Sequence, residues 1–342
     1  MTDIVYPSDA KTIILFGGSD ILPRLVLALQ ERKYGVFVFT SPRQAQENIG
    51  GVTLLDKLES LNVSFWVKED IADFPMHLIS QTTIGLGIGE AWVFPEKIRS
   101  AFGNRLLGFM AIPLPRYRGG AHLSWAIMRG ERQWGGCLQT ITANTVPGEF
   151  DDGEIVSRWE YAIPERCRIP QHWFDFCGEQ DIRGILDFLK MVAMRRAFHP
   201  EPVSNAASLF LPRLRTCDNG WIDWNQPVVE LERQICAFDS PYPGALTMLC
   251  DPLYGDRQVA VKDVSFDGVF SLSVPFQRGL VLRVDNGIHI AALNGVIVAR
   301  RVLFSGMDFT DRVKVGMRFF TPVERLEHAL RSTPVYSPKV TQ

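Results

Sequence analysis

Residues 12–18, Thr-Ile-Ile-Leu-Phe-Gly-Gly, set an unbroken apolar run directly against two glycines. A run that short and that apolar reads as a strand buried on both faces, and the glycines let the chain turn sharply at its carboxyl end. Pro23 to Glu31 follows with helical spacing and a proline in the first turn, where the missing N–H costs nothing. Gly35-Val36-Phe37-Val38-Phe39-Thr40 is a second strand. Strand, helix and strand in that order predict an α/β class with a parallel, doubly wound sheet and right-handed crossovers. Further strands are expected at 63–67, 83–88 and 136–143, and helices at 95–102 and 122–129.

The last third of the chain has a different pattern. Short β runs at 246–249, 259–264, 280–284, 288–292 and 296–302 alternate with Gly, Asp and Asn turns. That spacing predicts a small open β barrel. Residues 174–197 carry Phe176, Ile182, Ile185, Leu186, Leu189 and Val192 at helical spacing. They read as a packed helix whose Arg195-Arg196 end complements the dipole. Residues 198–227 are rich in Pro, Asn, Ser and Asp and read as a linker, with a helix over 230–238. At 342 residues the chain is long enough for two cores. The expected division is 1–200, a linker with a helix at 201–239, and 240–342.

Composition excludes several function classes. The net charge is −2, so no global field draws nucleic acid or an anionic membrane to the chain. No run of about 18 apolar residues is present, which reads against a transmembrane helix. The first residues, Met1-Thr2-Asp3-Ile4-Val5-Tyr6-Pro7, lack the basic and apolar regions of a secretory signal, so a cytoplasmic location is expected. The six cysteines are scattered, without Cys-x-x-Cys or a His at ligand spacing, and read as reduced thiols. Gly17-Gly18-Ser19 lacks the spacing of a dinucleotide fingerprint. The acidic cluster of Glu149, Asp151, Asp152 and Glu154 has no histidine or third fixed ligand beside it, so no metal is expected. Trp221 and Trp224 read as interdomain packing rather than base-stacking platforms.

Three segments carry a more specific signal. They are Leu114-Pro115-Arg116-Tyr117-Arg118-Gly119-Gly120, then Ser124-Trp125-Ala126-Ile127, then Asp151-Asp152-Gly153-Glu154-Ile155. In this order they resemble the centre of the formyltetrahydrofolate-dependent formyltransferase family. Val93-Phe94-Pro95-Glu96-Lys97-Ile98 resembles the family's pterin-lining segment. Trp221-Ile222-Asp223-Trp224 and Pro241-Tyr242-Pro243-Gly244-Ala245 resemble the entrance to the C-terminal domain of its two-domain members. The resemblance implies a Rossmann-like catalytic domain followed by an OB-like β domain. It implies 10-formyltetrahydrofolate as formyl donor and an amine as acceptor. It also implies a folate pocket built from Val93, Phe94, Pro95, Leu114 and Arg116 with the loop residues Val146, Pro147 and Phe150, and a catalytic carboxylate at Asp151.

One departure from the family pattern bears on the chemistry. The family carries Asn-x-His just before its Leu-Pro-x-Tyr-Arg-Gly, and here the same positions are Gly108-Phe109-Met110; the family's following Ser falls at Ile112. Glycine has no side-chain donor, and a thioether carries no proton at neutral pH. Losing one oxyanion donor typically costs roughly 3–4 kcal/mol of transition-state stabilisation. Three readings stay open. The first is an active N-formyltransferase in which His122, just after Gly119, serves proton transfer with Asp151. Its acceptor would be a small-molecule amine such as a nucleotide-linked amino sugar. The second is a related transferase with another donor or acceptor, including activity like that of a methionyl-tRNA formyltransferase. The third is a catalytically silent homologue that binds a ligand or a partner. A homodimer is compatible with all three.

Overall fold

The computed structural model describes residues 3–142, 153–204, 206, 208–251, 255–267 and 275–334. The principal elements in the first half are β1 (Thr12–Gly17), α1 (Ile21–Glu31), β2 (Gly35–Thr40), α2 (Leu54–Ser60), β3 (Ser64–Val67), β4 (Thr83–Ile88), α3 (Glu96–Phe102) and β5 (Leu106–Met110). Then come α4 (His122–Arg129), β6 (Gln133–Thr140), β7 (Ile155–Ala162), α5 (Pro170–Ala193) and α6 (Val228–Ala237). The last are β8 (Ala245–Asp251), β9 (Gly255–Asp267), β10 (Val281–Val284), β11 (Ile288–Ala292), β12 (Gly295–Phe304) and β13 (Arg318–Phe320). They divide into two compact units that interleave along the chain. The first comprises Met1–Arg118, Gln133–Ala162 and Cys177–Leu209; the second comprises Gly119–Arg132, Ile163–Phe176 and Phe210–Gln342.

The first unit is built on a seven-stranded sheet in the order β7-β6-β5-β4-β1-β2-β3. Strands β1 to β5 pair in parallel, as the opening strand-helix-strand pattern predicts. Strands β6 and β7 extend the sheet antiparallel. Alternation along each strand feeds two cores. Ile13, Leu15, Leu86, Leu107 and Leu138 face one side, where Leu22 and Leu25 of α1 and Ile185 and Phe188 of α5 cover them. Ile14, Phe16, Phe39 and Leu106 face the other, against Phe74, Phe94 and Phe102. Phe16 meets Phe94 edge-on at 5.0 Å and Phe74 at 5.2 Å. Such aromatic pairs contribute beyond their buried area and fix ring orientation.

Several expected elements shift. Strand β6 starts at Gln133, not 136, because Gly135 and Gly136 pair normally with β7 and are not a turn. Strand β5 was not expected, since its Gly and Met interrupt the apolar pattern. The long helix ends at Ala193. Arg195, in a left-handed conformation, and Arg196 lie beyond it, and Arg195 Nε donates to Ser8 Oγ at 3.0 Å instead of capping the dipole.

In the second unit, the β strands run antiparallel in the order β10-β11-β12-β9-β8-β13. The sheet curls until its ends meet: Phe319 N donates to Gly279 O at 2.7 Å and Val281 N to Met317 O at 2.9 Å. This closure needs glycine at 279, where φ is +75° and a Cβ would stand 1.8 Å from Phe319 O. Trp221 and Trp224 are buried within this unit. Trp224 Nε1 donates to Thr247 Oγ1 at 2.9 Å and Trp221 Nε1 to Cys217 O at 3.2 Å. They are core residues of the unit, a correction to their expected place between domains. Helix α4 belongs to the same unit, tied by Ser124 Oγ to Ala237 O at 2.8 Å and Trp125 Nε1 to Pro212 O at 2.7 Å. Among the described residues no helix is long and apolar enough to cross a membrane.

Candidate active site

The strand order of the first unit reverses at β1. The chain lays β2 and β3 on one side of it and then crosses to place β4 and β5 on the other. In open α/β sheets such a switch point leaves a crevice at the carboxyl ends of the two central strands. Here its rims are Gly17-Gly18-Ser19 and Gly89-Glu90. Gly18 N donates to Ile88 O at 3.0 Å. Gly17 has φ +115°, and a Cβ there would lie 2.5 Å from Ile88 O, so only glycine permits this approach. Gln44, only 1% exposed, braces the rims: its Nε2 donates to Gly89 O at 2.6 Å and Gly18 O at 3.4 Å. Ser41 Oγ in turn donates to Gln44 Oε1 at 3.0 Å.

Below the crevice a row of three residues crosses the sheet on the aromatic side. Gly87 of β4 is in register with Gly108 of β5, and Gly108 with Gln139 of β6. The two glycines leave this face without side chains, and Glu90, Gln139 and Ile141 pack over it. A Cβ on Gly87 would lie 2.6 Å from Glu90 Oε2, so the Glu90 carboxylate folds back over the strand. A Cβ on Gly108 would lie 3.8 Å from Gln139 Cγ and 3.9 Å from Glu90 Oε1. Gln139 is 8% exposed, and its Oε1 makes no hydrogen bond among the described residues. Ser19 Oγ and Thr40 Oγ1, at the carboxyl ends of β1 and β2, are also buried without a partner. Unpaired buried polar atoms are uncommon and each calls for a reason, an absent ligand among them. Met110 continues the face of Gly108 and pairs in register with Cys137.

The residues singled out in the sequence fall in several places. Val93 is 60% exposed, while Phe94 is held in the aromatic core. Pro95 is the N-cap residue of α3. Leu114 is buried, and the Arg116 guanidinium lies 5.0 Å from the ring of Tyr117, which stacks on Trp134. These residues all belong to the first unit. Val146, Pro147, Phe150 and Asp151 lie outside the described residues. His122 opens α4 in the second unit. Its Nε2 is buried without a hydrogen bond, and burial, helped by the Arg213 guanidinium, pushes its pKa down to about 4. The imidazole is therefore neutral at pH 7. A cavity of about 440 Å³ in the same unit is lined by Ala121, Ser124, Arg213, Thr216, Phe238 and Tyr242, among others.

Sequence reasoning missed Glu90 and Gln139. Two signals were available. Gly85 and Gly87 alternate within an otherwise apolar strand, which marks a face kept clear. Gln139 is a polar residue at an inward position of β6.

The geometry can be set beside known proteins. Residues 216–311 match the family model described as formyl transferase, C-terminal domain. A methionyl-tRNA formyltransferase of Roseobacter denitrificans is 30% identical over 256 residues, 73% of this chain and 75% of that protein. The chain belongs to the formyltransferase family. A methionyl-tRNA formyltransferase of Roseiflexus sp. (strain RS-1) is 33% identical over 187 residues, 54% of this chain and 52% of that protein. The chain thus spans about half the length of the first curated relatives it matches. Among solved structures, WlaRD, a sugar 3N-formyl transferase solved with dTDP and 5-N-formyl-THF, has a TM-score of 0.60 at 13% identity, over 85% of this chain and 97% of that one. That likeness is one of fold.

By the motif order of the sequence, Gly108 is expected at the position of the family's asparagine. A Cβ there would have Ile141 Cγ1 at 3.5 Å, Gln139 Cγ at 3.8 Å and Glu90 Oε1 at 3.9 Å.

Proposed function

We propose that this chain transfers a formyl group from 10-formyltetrahydrofolate to the amino group of a small molecule, with a nucleotide-linked amino sugar as the favoured acceptor. The observation that carries the reading is the row of Gly87, Gly108 and Gln139 on a formyltransferase-family sheet, where Glu90, Gln139 and Ile141 stand around the face that the two glycines leave without side chains. Acyl transfer to an amine needs a donor aimed at the formyl oxygen and a group that takes the amine proton. A carboxamide and a carboxylate border this space, so its chemistry fits a formyl amide.

The folate, when bound, supplies the formyl carbon. The protein's part is to hold and to exchange protons. The backbone of Gly89 to Pro95 would offer amides and carbonyls to a heterocycle edge, with Val93 among the lining residues. Leu114 and Arg116, with Val146, Pro147 and Phe150 from the following loop, complete the expected pocket. Asp151 stands at the motif position of the family's catalytic carboxylate, which in that family orients the proton-carrying group.

The near-zero net charge supports a small acceptor over tRNA, and the sugar N-formyltransferase fold relative is consistent with it. A second reading, transfer to charged tRNA, is favoured by the names of the curated relatives. Calorimetry with a tetrahydrofolate analogue tests the donor. Saturable binding is expected. No binding at millimolar ligand by folded protein would replace folate with another donor.

A further inference from the structure

Position 108 has no side chain, and the space before it is bordered by Ile141 and by two polar side chains, Glu90 and Gln139. We propose that these two residues are the catalytic pair of the site. Gln139 donates an amide hydrogen to the formyl oxygen as charge gathers there, and Glu90 takes the proton that the attacking amine loses. The proposal rests on the formyl-transfer reading.

The first argument is placement. Gly87, Gly108 and Gln139 lie in register on three adjacent strands. A side chain on Gly108 would start 3.8 Å from the Gln139 Cγ. From the next strand, the Gln139 side chain therefore borders the space that a side chain at 108 would fill. Its amide is buried and its Oε1 is unbonded among the described residues. A buried amide in that state is destabilising until something arrives to bond it. A half-turn of the amide presents Nε2 in place of Oε1, so the group can act as donor.

The second argument concerns the carboxylate. Glu90 follows the carboxyl end of β4 and turns back over the sheet. A methyl group at 87 would meet Oε2 at 2.6 Å, so the carboxylate keeps this place only while residue 87 has no side chain. The carboxylate oxygens thus lie on the same face as Gln139.

The reaction balances with these two groups. The amine nitrogen forms a bond to the formyl carbon, and the bond from that carbon to the folate nitrogen breaks. One proton leaves the amine, rests on Glu90, and ends on the folate nitrogen. No oxidant or reductant is required. Met110, which cannot carry a proton, is relieved of the role.

Three variants test the assignment. Glu90→Gln keeps size but cannot accept a proton, and kcat should fall about 100-fold or more, with KM for amine and folate nearly unchanged. Gly87→Ala displaces the carboxylate without removing it. It should lower kcat, and should add little once Glu90 is already Gln. Gln139→Leu should lower kcat about 100-fold. It should also erase the preference, read by calorimetry, for 10-formyl-5,8-dideazafolate over the same compound without its formyl group. Near wild-type kcat in Glu90→Gln, with Asp151→Asn or His122→Ala inactive, would overturn the proposal and leave formyl transfer standing. An intact formyl preference in Gln139→Leu would overturn the role of Gln139. Should Gln139→Leu fail to fold, Glu90→Gln on the half-buried residue still decides. Wild-type protein that transfers no formyl group and binds neither probe would remove the reading itself, and the proposal with it.

Discussion

Asp181 gives the fold a pH dependence that can be worked from its surroundings. The residue lies in α5, 1% exposed. Its Oδ1 accepts from Trp159 Nε1 at 2.8 Å and from Tyr161 OH at 3.1 Å. Gly136 makes the room, since a Cβ there would lie 2.7 Å from that oxygen. Burial pushes the carboxyl up to about 7, against the lowering effect of the two hydrogen bonds. In the unfolded chain the group titrates near 3.9. Between these values the folded state holds a proton that the unfolded state has lost. The associated stability is fully present below about pH 4 and is lost as pH rises through about 7. At 1.36 kcal/mol per unit, the whole span is about 4 kcal/mol, and about 2–3 kcal/mol of it falls between pH 5 and pH 8. Asp181→Asn keeps an acceptor for Trp159 and Tyr161 and removes the titration. Urea unfolding of both proteins at pH 5, 6.5 and 8 is the assay. The variant should gain on wild type by about 2–3 kcal/mol from pH 5 to pH 8. A difference that stays constant with pH would refute the reasoning.

Other outcomes follow from single sites. Asp151→Asn should lower kcat by orders of magnitude and leave the melting curve and folate-analogue affinity near wild type. His122 has a depressed pKa of about 4, so its stabilising contribution is present above pH 6.5 and is lost as pH falls through 4. Thermal melts should therefore show wild type weakening relative to His122→Gln on acidification, and the pH–rate profile between pH 6 and 8 should keep its shape. Lys262 Nζ lies 3.5 Å from Asp239 Oδ1 and donates to Tyr242 O at 2.8 Å, with both charged side chains buried. Lys262→Met should cost about 3 kcal/mol in denaturant unfolding, because it leaves the buried Asp239 carboxylate with the Ser240 and Asp263 amides but no counter-charge.

The fold was legible where one physical rule dominated. The apolar runs at 12–17, 35–40 and 83–88 became parallel strands because both of their faces are covered. The short runs after residue 245 became the curled antiparallel sheet. Legibility failed where local pattern and tertiary role diverge. Gly108 and Met110 hide β5, yet neighbours on both sides complete its hydrogen bonding. Helix α4 was found at its residues, but nothing local says that it packs with the chain's C-terminal part. The site was half legible. The motifs pointed to the family, but residues that share one face of the sheet, such as Gly87, Gly108 and Gln139, come from different strands. Register across a sheet is set by long-range pairing, which a single sequence does not display.

The central claim is formyl transfer to a small amine. The direct measurement is mass spectrometry of a reaction containing the full chain, 10-formyltetrahydrofolate and a panel of nucleotide-linked amino sugars, run beside charged initiator tRNA. One sugar should gain a single formyl group, with loss of the formyl group from the folate in equal amount, and the tRNA should be unchanged. Formylation of the tRNA with every sugar untouched, or no formyl gain by any amine, would contradict that claim.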